Sequence, residues 1–221
     1  MLRWEVDKNV VRATMTDQAY EIIKNRIIKG DYKADDKLTE TGMAKNLNLS
    51  PTPVREAFNR LVSEGYLVSI PYKGVFVKSY DYDDVKQAYL IRAQLQGLAM
   101  RFLLEKIDDE EMAEFEDLLD AGLKNTEAHI FYRFFDFQKA IFSKSRSKVI
   151  ISSISPLDAI INVDRLTHVS EKPDSDRICN LFISLMDAMT ERNVDEAVSS
   201  IEEIVGISMD IALRNIDEFI S

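Results

Sequence analysis

Between Val54 and Val62 the apolar residues fall at Val54, Ala57, Phe58, Leu61 and Val62. This i, i+3, i+4, i+7, i+8 spacing predicts a helix that buries one face. Arg55, Glu56, Asn59, Arg60 and Ser63 lie on the other face, with Arg55 and Asn59 one turn apart. Ser50, Pro51, Thr52 and Pro53 punctuate the helix start, and Gly65 suits its end. Because Thr52 precedes a proline it is biased away from helix. We therefore expect Thr52 as the cap, Pro53 as the first helical residue and Arg55 in the first turn. Free N–H groups and the helix dipole attract phosphate there.

The flanking segments give this helix a context. Leu38–Leu47 reads as a short helix with Leu38, Met43, Ala44 and Leu47 inward, and Asn48-Leu49-Ser50 as a tight turn. Helix, short turn, helix is an arrangement that puts its second helix into the major groove of DNA. After Gly65 the period changes to two. Tyr66–Ile70 and Gly74–Lys78 are short β-branched and aromatic runs around a turn at residues 71–74, which predicts a hairpin wing. Further upstream, residues 15–29 predict a helix with Thr16 as cap and Ala19, Ile22, Ile23, Arg26 and Ile27 at helical spacing. Residues 1–14 read as a tail.

From Asp83 onward the pattern is helical throughout, with no strand alternation. The predicted helices are 83–106, 108–125, an aromatic-rich 126–143, 148–169 with a break at Pro156, 175–191 and 194–220. The first is expected to bury Val85, Ala88, Tyr89, Ile91, Leu95, Leu98, Ala99 and Phe102. About six helices make a bundle. The fold class is therefore mainly α: a winged helix-turn-helix over residues 15–79, then an all-α bundle over 80–221.

Five linked segments carry a resemblance. They are Thr16–Gly30, Lys37-Leu-Thr-Glu40, Ser50-Pro-Thr-Pro-Val-Arg-Glu-Ala-Phe58, Glu64-Gly-Tyr-Leu67 and Lys73-Gly-Val-Phe-Val77. Together they resemble the GntR family of bacterial transcription regulators. The resemblance implies DNA binding through Arg55, Thr52, Asn59, Lys45, Ser50, Lys73 and Gly74. The family often carries arginines at the places of Pro51 and, approximately, Thr41, so the operator of this chain is expected to differ. Two short half-sites read by a two-fold dimer imply a homodimer on a palindromic operator.

The helical portion resembles the FCD effector domain of FadR-type members, through Val85–Arg92, Asp136–Ile141 and Ala188–Ala197. Many such domains hold a divalent metal with an Asp and three His. Here Phe134, Gln138, Phe182 and Ile204 stand at those places, and the chain has only His129 and His168. Phe and Ile donate no lone pair, so no metal and no other cofactor is expected. Arg92 matches an arginine that commonly reaches the effector, and Gln96 replaces the usual Glu one turn on. The implied effector pocket is Arg92, Gln138, Phe134, Phe182 and Ile204, and the implied ligand a largely apolar organic acid or acyl compound. The alternative is a regulator without an effector, whose bundle only dimerises.

The net charge of −10 argues against a nucleic-acid partner until the chain is divided. Residues 1–80 hold 13 Lys and Arg against 10 Asp and Glu, while the remainder holds 15 against 28. A mildly basic reader joined to an acidic body is compatible with DNA. A single Cys179 excludes an intrachain disulfide framework, and there is neither a signal-peptide pattern nor an 18-residue apolar run. Cytoplasmic placement and no membrane partner follow as expectations. No Gly-rich phosphate loop, nucleophile elbow, paired-His metal motif or Cys–His set appears, so enzymatic function is not expected.

Overall fold

The computed structural model describes residues 14–126, 133–165 and 172–215. The chain forms two compact units divided between Ser79 and Tyr80.

The first unit runs α1 (Met15–Ile28), β1 (Lys37–Leu38), α2 (Glu40–Leu47), α3 (Pro51–Glu64), β2 (Leu67–Ile70) and β3 (Gly74–Val77). The α1 cap is Thr14 rather than Thr16. The Thr14 hydroxyl accepts from the Asp17 N–H, and the Asp17 carboxylate accepts from the Thr14 N–H, a reciprocal capping box. Tyr20 joins Ala19, Ile23 and Ile27 in the core, while Ile22 is exposed and Arg26 only partly buried.

Leu38 is not the start of a helix. It pairs with Val75, and Lys37 with Phe76, so the wing is the larger part of a three-stranded antiparallel sheet of order β1-β3-β2. Two residues are too few to show alternation, and the ladder to β3 makes the strand. Thr39 then caps α2, its hydroxyl accepting from the Gly42 N–H at 3.2 Å. A Cβ on Gly42 would lie 2.6 Å from that same oxygen, so the close cap requires glycine. Asn48, in the left-handed region at φ 56, ends α2 and turns the chain toward α3. In α3, Val54, Ala57, Phe58 and Leu61 are buried and pack toward α1 and α2.

The second unit is six described helices: α4 (Tyr82–Leu104), α5 (Asp109–Lys124), α6 (Phe135–Lys144), α7 (Lys148–Arg165), α8 (Lys172–Thr190) and α9 (Val194–Asn215). Asp81 and Asp108 cap α4 and α5, each accepting from a backbone N–H three residues on. The central helix α4 packs most extensively on α9, then on α7 and α6. Two expectations for it fail. Ile91 and Leu98 are exposed, and Arg92 and Gln96 are buried in their stead. The aromatic segment is interrupted at Phe134, whose φ −117, ψ 18 are not helical, and α6 begins at Phe135. The predicted part at 127–132, with Phe131 and Tyr132, lies outside the described residues. Helix α7 continues through Pro156 rather than breaking.

Among the described residues, no helix is long and apolar enough to cross a membrane.

Candidate functional site

The α3 start differs from expectation in a way that bears on the site. The cap is Ser50, with no side-chain cap bond, and Pro51 is the first helical residue. Pro51 and Pro53 both fall in the first turn, where backbone N–H groups have no intrahelical acceptor to lose. That tolerance overrides the restriction on Thr52, which is helical. Arg55 consequently begins the second turn, not the first.

Arg55 remains open to solvent, its side chain 63% exposed. Its Nε and Nη2 both lie 2.8 Å from Oε2 of Glu40, the first residue of α2. The hydrogen bond to Glu40 and that carboxylate's charge raise the guanidinium pKa further. Thr52 and Asn59 share the exposed surface of α3 with Arg55, and Ser50 and Lys45 are also exposed. The remaining α3 charges do other work. Arg60 bonds Glu64 at 3.1 Å and Asp17 at 3.5 Å, and its guanidinium sits 3.7 Å above the Tyr20 ring. Glu56 accepts from the Thr16 hydroxyl at 2.6 Å. These contacts tie α3 to α1, so Arg55 and Asn59 stand on a braced helix.

The wing tip carries Tyr72, fully exposed and in the left-handed region at φ 63, then Lys73 and Gly74 at φ 117. Both Lys73 and Gly74 are exposed. A Cβ on Gly74 would meet Cε of Lys37 at 3.0 Å, so a second lysine lies against the tip. Lys37 and Glu40 stand inside the Lys37-Leu-Thr-Glu40 segment, yet spacing alone assigns neither a role. Their signal is the three-dimensional approach of β1 to the wing and of α2 to α3.

In the helical unit, Phe134 and Phe182 come together, their rings stacked with centroids 4.0 Å apart at 17°. Phe137 meets Phe182 edge-on at 5.3 Å, and Phe115 at 5.0 Å. Ile204 is buried in the same core, and Gln138 is buried on α6. Rings and an aliphatic chain at these places do not fit a metal. Among the described residues, no group of three or more His, Cys, Asp or Glu is placed to hold one. His129 and His168 lie outside the described residues.

Arg92, 4% exposed, donates through Nη1 to Oδ1 of Asp158 on α7, and its guanidinium lies 5.4 Å from the Phe142 ring centroid. Gln96, one turn further along α4, is fully buried, and among the described residues neither its amide oxygen nor its nitrogen has a hydrogen-bond partner. In the sequence that residue stands out only as a departure from the usual Glu. An open pocket of about 470 Å³ lies elsewhere, between Tyr82, Asp174, Arg177, Asp210 and Arg214. Its arginines are engaged, Arg177 by Glu203 at 2.6 Å and Arg214 by Asp174 at 2.5 Å.

Comparison with known proteins follows the same division. Residues 15–77 match the family described as "Bacterial regulatory proteins, gntR family", and residues 87–206 match the FCD domain. The chain is 32% identical over 113 residues to the uncharacterized HTH-type transcriptional regulator YdhC of Bacillus subtilis, covering 51% of this chain and 49% of that protein. It is 34% identical over 94 residues to a probable D-xylose utilization operon transcriptional repressor of Paenarthrobacter nicotinovorans, covering 42% of each. The chain thus spans about half the length, or less, of these curated relatives. Among solved structures, E. coli McbR/YncC superposes with a TM-score of 0.79 at 21% identity, over 92% of this chain and 99% of that one. At that identity the likeness shows the fold.

Proposed function

The chain belongs to the gntR family of bacterial regulatory proteins, in the group that carries an FCD domain, and from this premise we propose that it is a homodimeric repressor of transcription. In this reading each copy presents α3 to one half of a palindromic operator. Arg55, Thr52, Asn59 and Ser50 meet the major groove. Lys45 contacts phosphate, and the wing residues Lys73 and Gly74 approach the backbone or minor groove. The observation that carries it is the outward face of α3, where exposed Arg55 and Asn59 lie one turn apart on a helix braced by Arg60 and Glu56. The repressor role is drawn from the name of the D-xylose operon relative.

Dimerisation is assigned to the helical unit. Leu90, Ile91 and Leu98 form an exposed apolar stripe on α4, with Gln94 between its ends and Gln87 about one turn before it. A helix that turns Leu and Ile outward while burying Arg and Gln is shaped for a second surface.

The helical unit is further proposed to sense an apolar acid or acyl compound through Arg92, Gln138, Phe134, Phe182 and Ile204. The unmet amide of Gln96 supports a ligand here, since a buried amide without partners is costly. Arg92 already has a carboxylate partner, and Asp158 offsets the charge that an acid would seek. That pairing favours the second reading, a dimeric regulator without an effector. Thermal-shift screening of organic acids against the full chain separates the two. DNA binding is tested by titrating duplexes at several salt concentrations, as developed in the Discussion.

A further inference from the structure

The contact between Arg55 and Glu40 has a defined geometry. One oxygen, Oε2, receives both Nε–H and an Nη2–H, which is the side edge of the guanidinium fork. Arginine has five N–H donors in a rigid plane. With the side edge taken, the end-on pair remains, one N–H from each terminal nitrogen. Two parallel donors at that spacing match O6 and N7 of guanine in the major groove.

We infer that Glu40 is a positioning residue that presents Arg55 end-on to a guanine. This inference rests on the DNA-reading function proposed above. Three features of the pair carry it. Arg55 is 63% exposed, and an exposed ion pair adds little to stability, so the contact needs another reason. The two partners sit on different helices, so the pair fixes the arginine relative to the helix-turn-helix frame rather than within α3. The carboxylate offsets the guanidinium charge, which weakens its attraction to any phosphate and leaves base-edge hydrogen bonding as the favoured contact. An unheld arginine would sample many rotamers and take the nearest phosphate, which carries no sequence information.

The test is selection of bound sequences from a random duplex library by the full-length chain. Wild type, Glu40→Ala, Glu40→Asp, Arg55→Ala, Arg55→Lys and Glu40→Ala/Arg55→Ala are compared. Glu40→Asp keeps an acid at the start of α2 but cannot reach as far. Wild type is expected to select one guanine per half-site, and Arg55→Ala to lose about tenfold or more of that preference. Glu40→Ala and Glu40→Asp are expected to lose most of it too, with preferences at other positions kept. Arg55→Lys, which keeps the charge and loses the fork, should behave likewise. In the Arg55→Ala background, Glu40→Ala should change nothing further. Glu40→Ala is also expected to steepen the salt dependence by about one phosphate contact per subunit, because the released arginine now takes a phosphate. Unchanged guanine preference in both Glu40 variants overturns the inference alone. An equal loss with and without Arg55 does the same. A wild-type chain that selects no sequence overturns the proposed function as well.

Discussion

Phe134, just before α6, and Phe182, on α8, stack with ring centroids 4.0 Å apart. Both stand where the resemblance to FCD domains puts metal ligands. On that resemblance the aromatic pair puts carbon where donor atoms would converge. An aromatic contact of this kind is worth about 0.5–1.5 kcal/mol beyond the area it buries.

The stack depends on a glycine. A Cβ at Gly122 of α5 would lie 2.5 Å from the Phe134 ring and 2.6 Å from the Arg133 carbonyl oxygen. Arg133 also donates to the carbonyls of Gly122 and Leu123 at 2.9 and 3.1 Å, which fixes the approach. Gly122→Ala should therefore lower unfolding stability by about 1–3 kcal/mol through overpacking, despite the higher helix propensity of alanine. Urea denaturation measures it, and an unchanged or raised midpoint would count against the packing described.

Asp158 is about one-third exposed, whereas Arg92 is almost wholly buried. Removing the carboxylate leaves the buried cation without it. Asp158→Asn should cost about 3 kcal/mol in the same denaturation experiment. If an acid effector uses Arg92, Asp158→Asn should also tighten its binding in thermal-shift titration, since the internal competitor is gone.

The Tyr20 hydroxyl donates to Glu64 at 2.5 Å and accepts from Lys24 at 2.8 Å. Burial, and then the bond to Glu64, push its phenol well above the usual range. The unfolded chain releases this proton near pH 10, at about the ordinary tyrosine value, while the folded chain keeps it. Above that pH the unfolded state binds fewer protons, so stability contributed here is present below pH of about 10 and falls as pH rises toward the folded value. Denaturation midpoints measured across the alkaline range should decline more steeply for wild type than for Tyr20→Phe. Equal slopes would contradict the assignment.

Leu90 and Leu98 lie two turns apart on the uncovered face of α4. Leu90→Glu/Leu98→Glu should shift sedimentation equilibrium from dimer to monomer with little loss of helical circular dichroism. A dimer that persists would place the interface elsewhere.

The winged helix-turn-helix was legible because its signals are local: the α3 period, the Gly65 stop and the two-residue period of the wing. Some boundaries failed through tertiary contact and others through local capping. β1 exists through its pairing with β3. Ser50 caps α3 because first-turn prolines cost no hydrogen bond. On α4, periodicity favoured Ile91 and Leu98 as core, whereas the buried positions are Arg92 and Gln96. Apolar spacing cannot tell a core face from an interface face, since both exclude water. Arg55 was read from its place in a matched segment, but its partner Glu40 is 15 residues away on another helix, beyond any helical period.

In the function proposed, the outward face of α3 grips duplex DNA through Arg55. Its most direct test is equilibrium binding of the full-length chain to a library-selected duplex and to a scrambled duplex across a salt series. Tight, salt-weakened binding that favours the selected duplex is expected, with Arg55→Ala losing about 1–3 kcal/mol on that duplex and much of the preference. Equal affinity of wild type and Arg55→Ala for both duplexes at every salt concentration would contradict it.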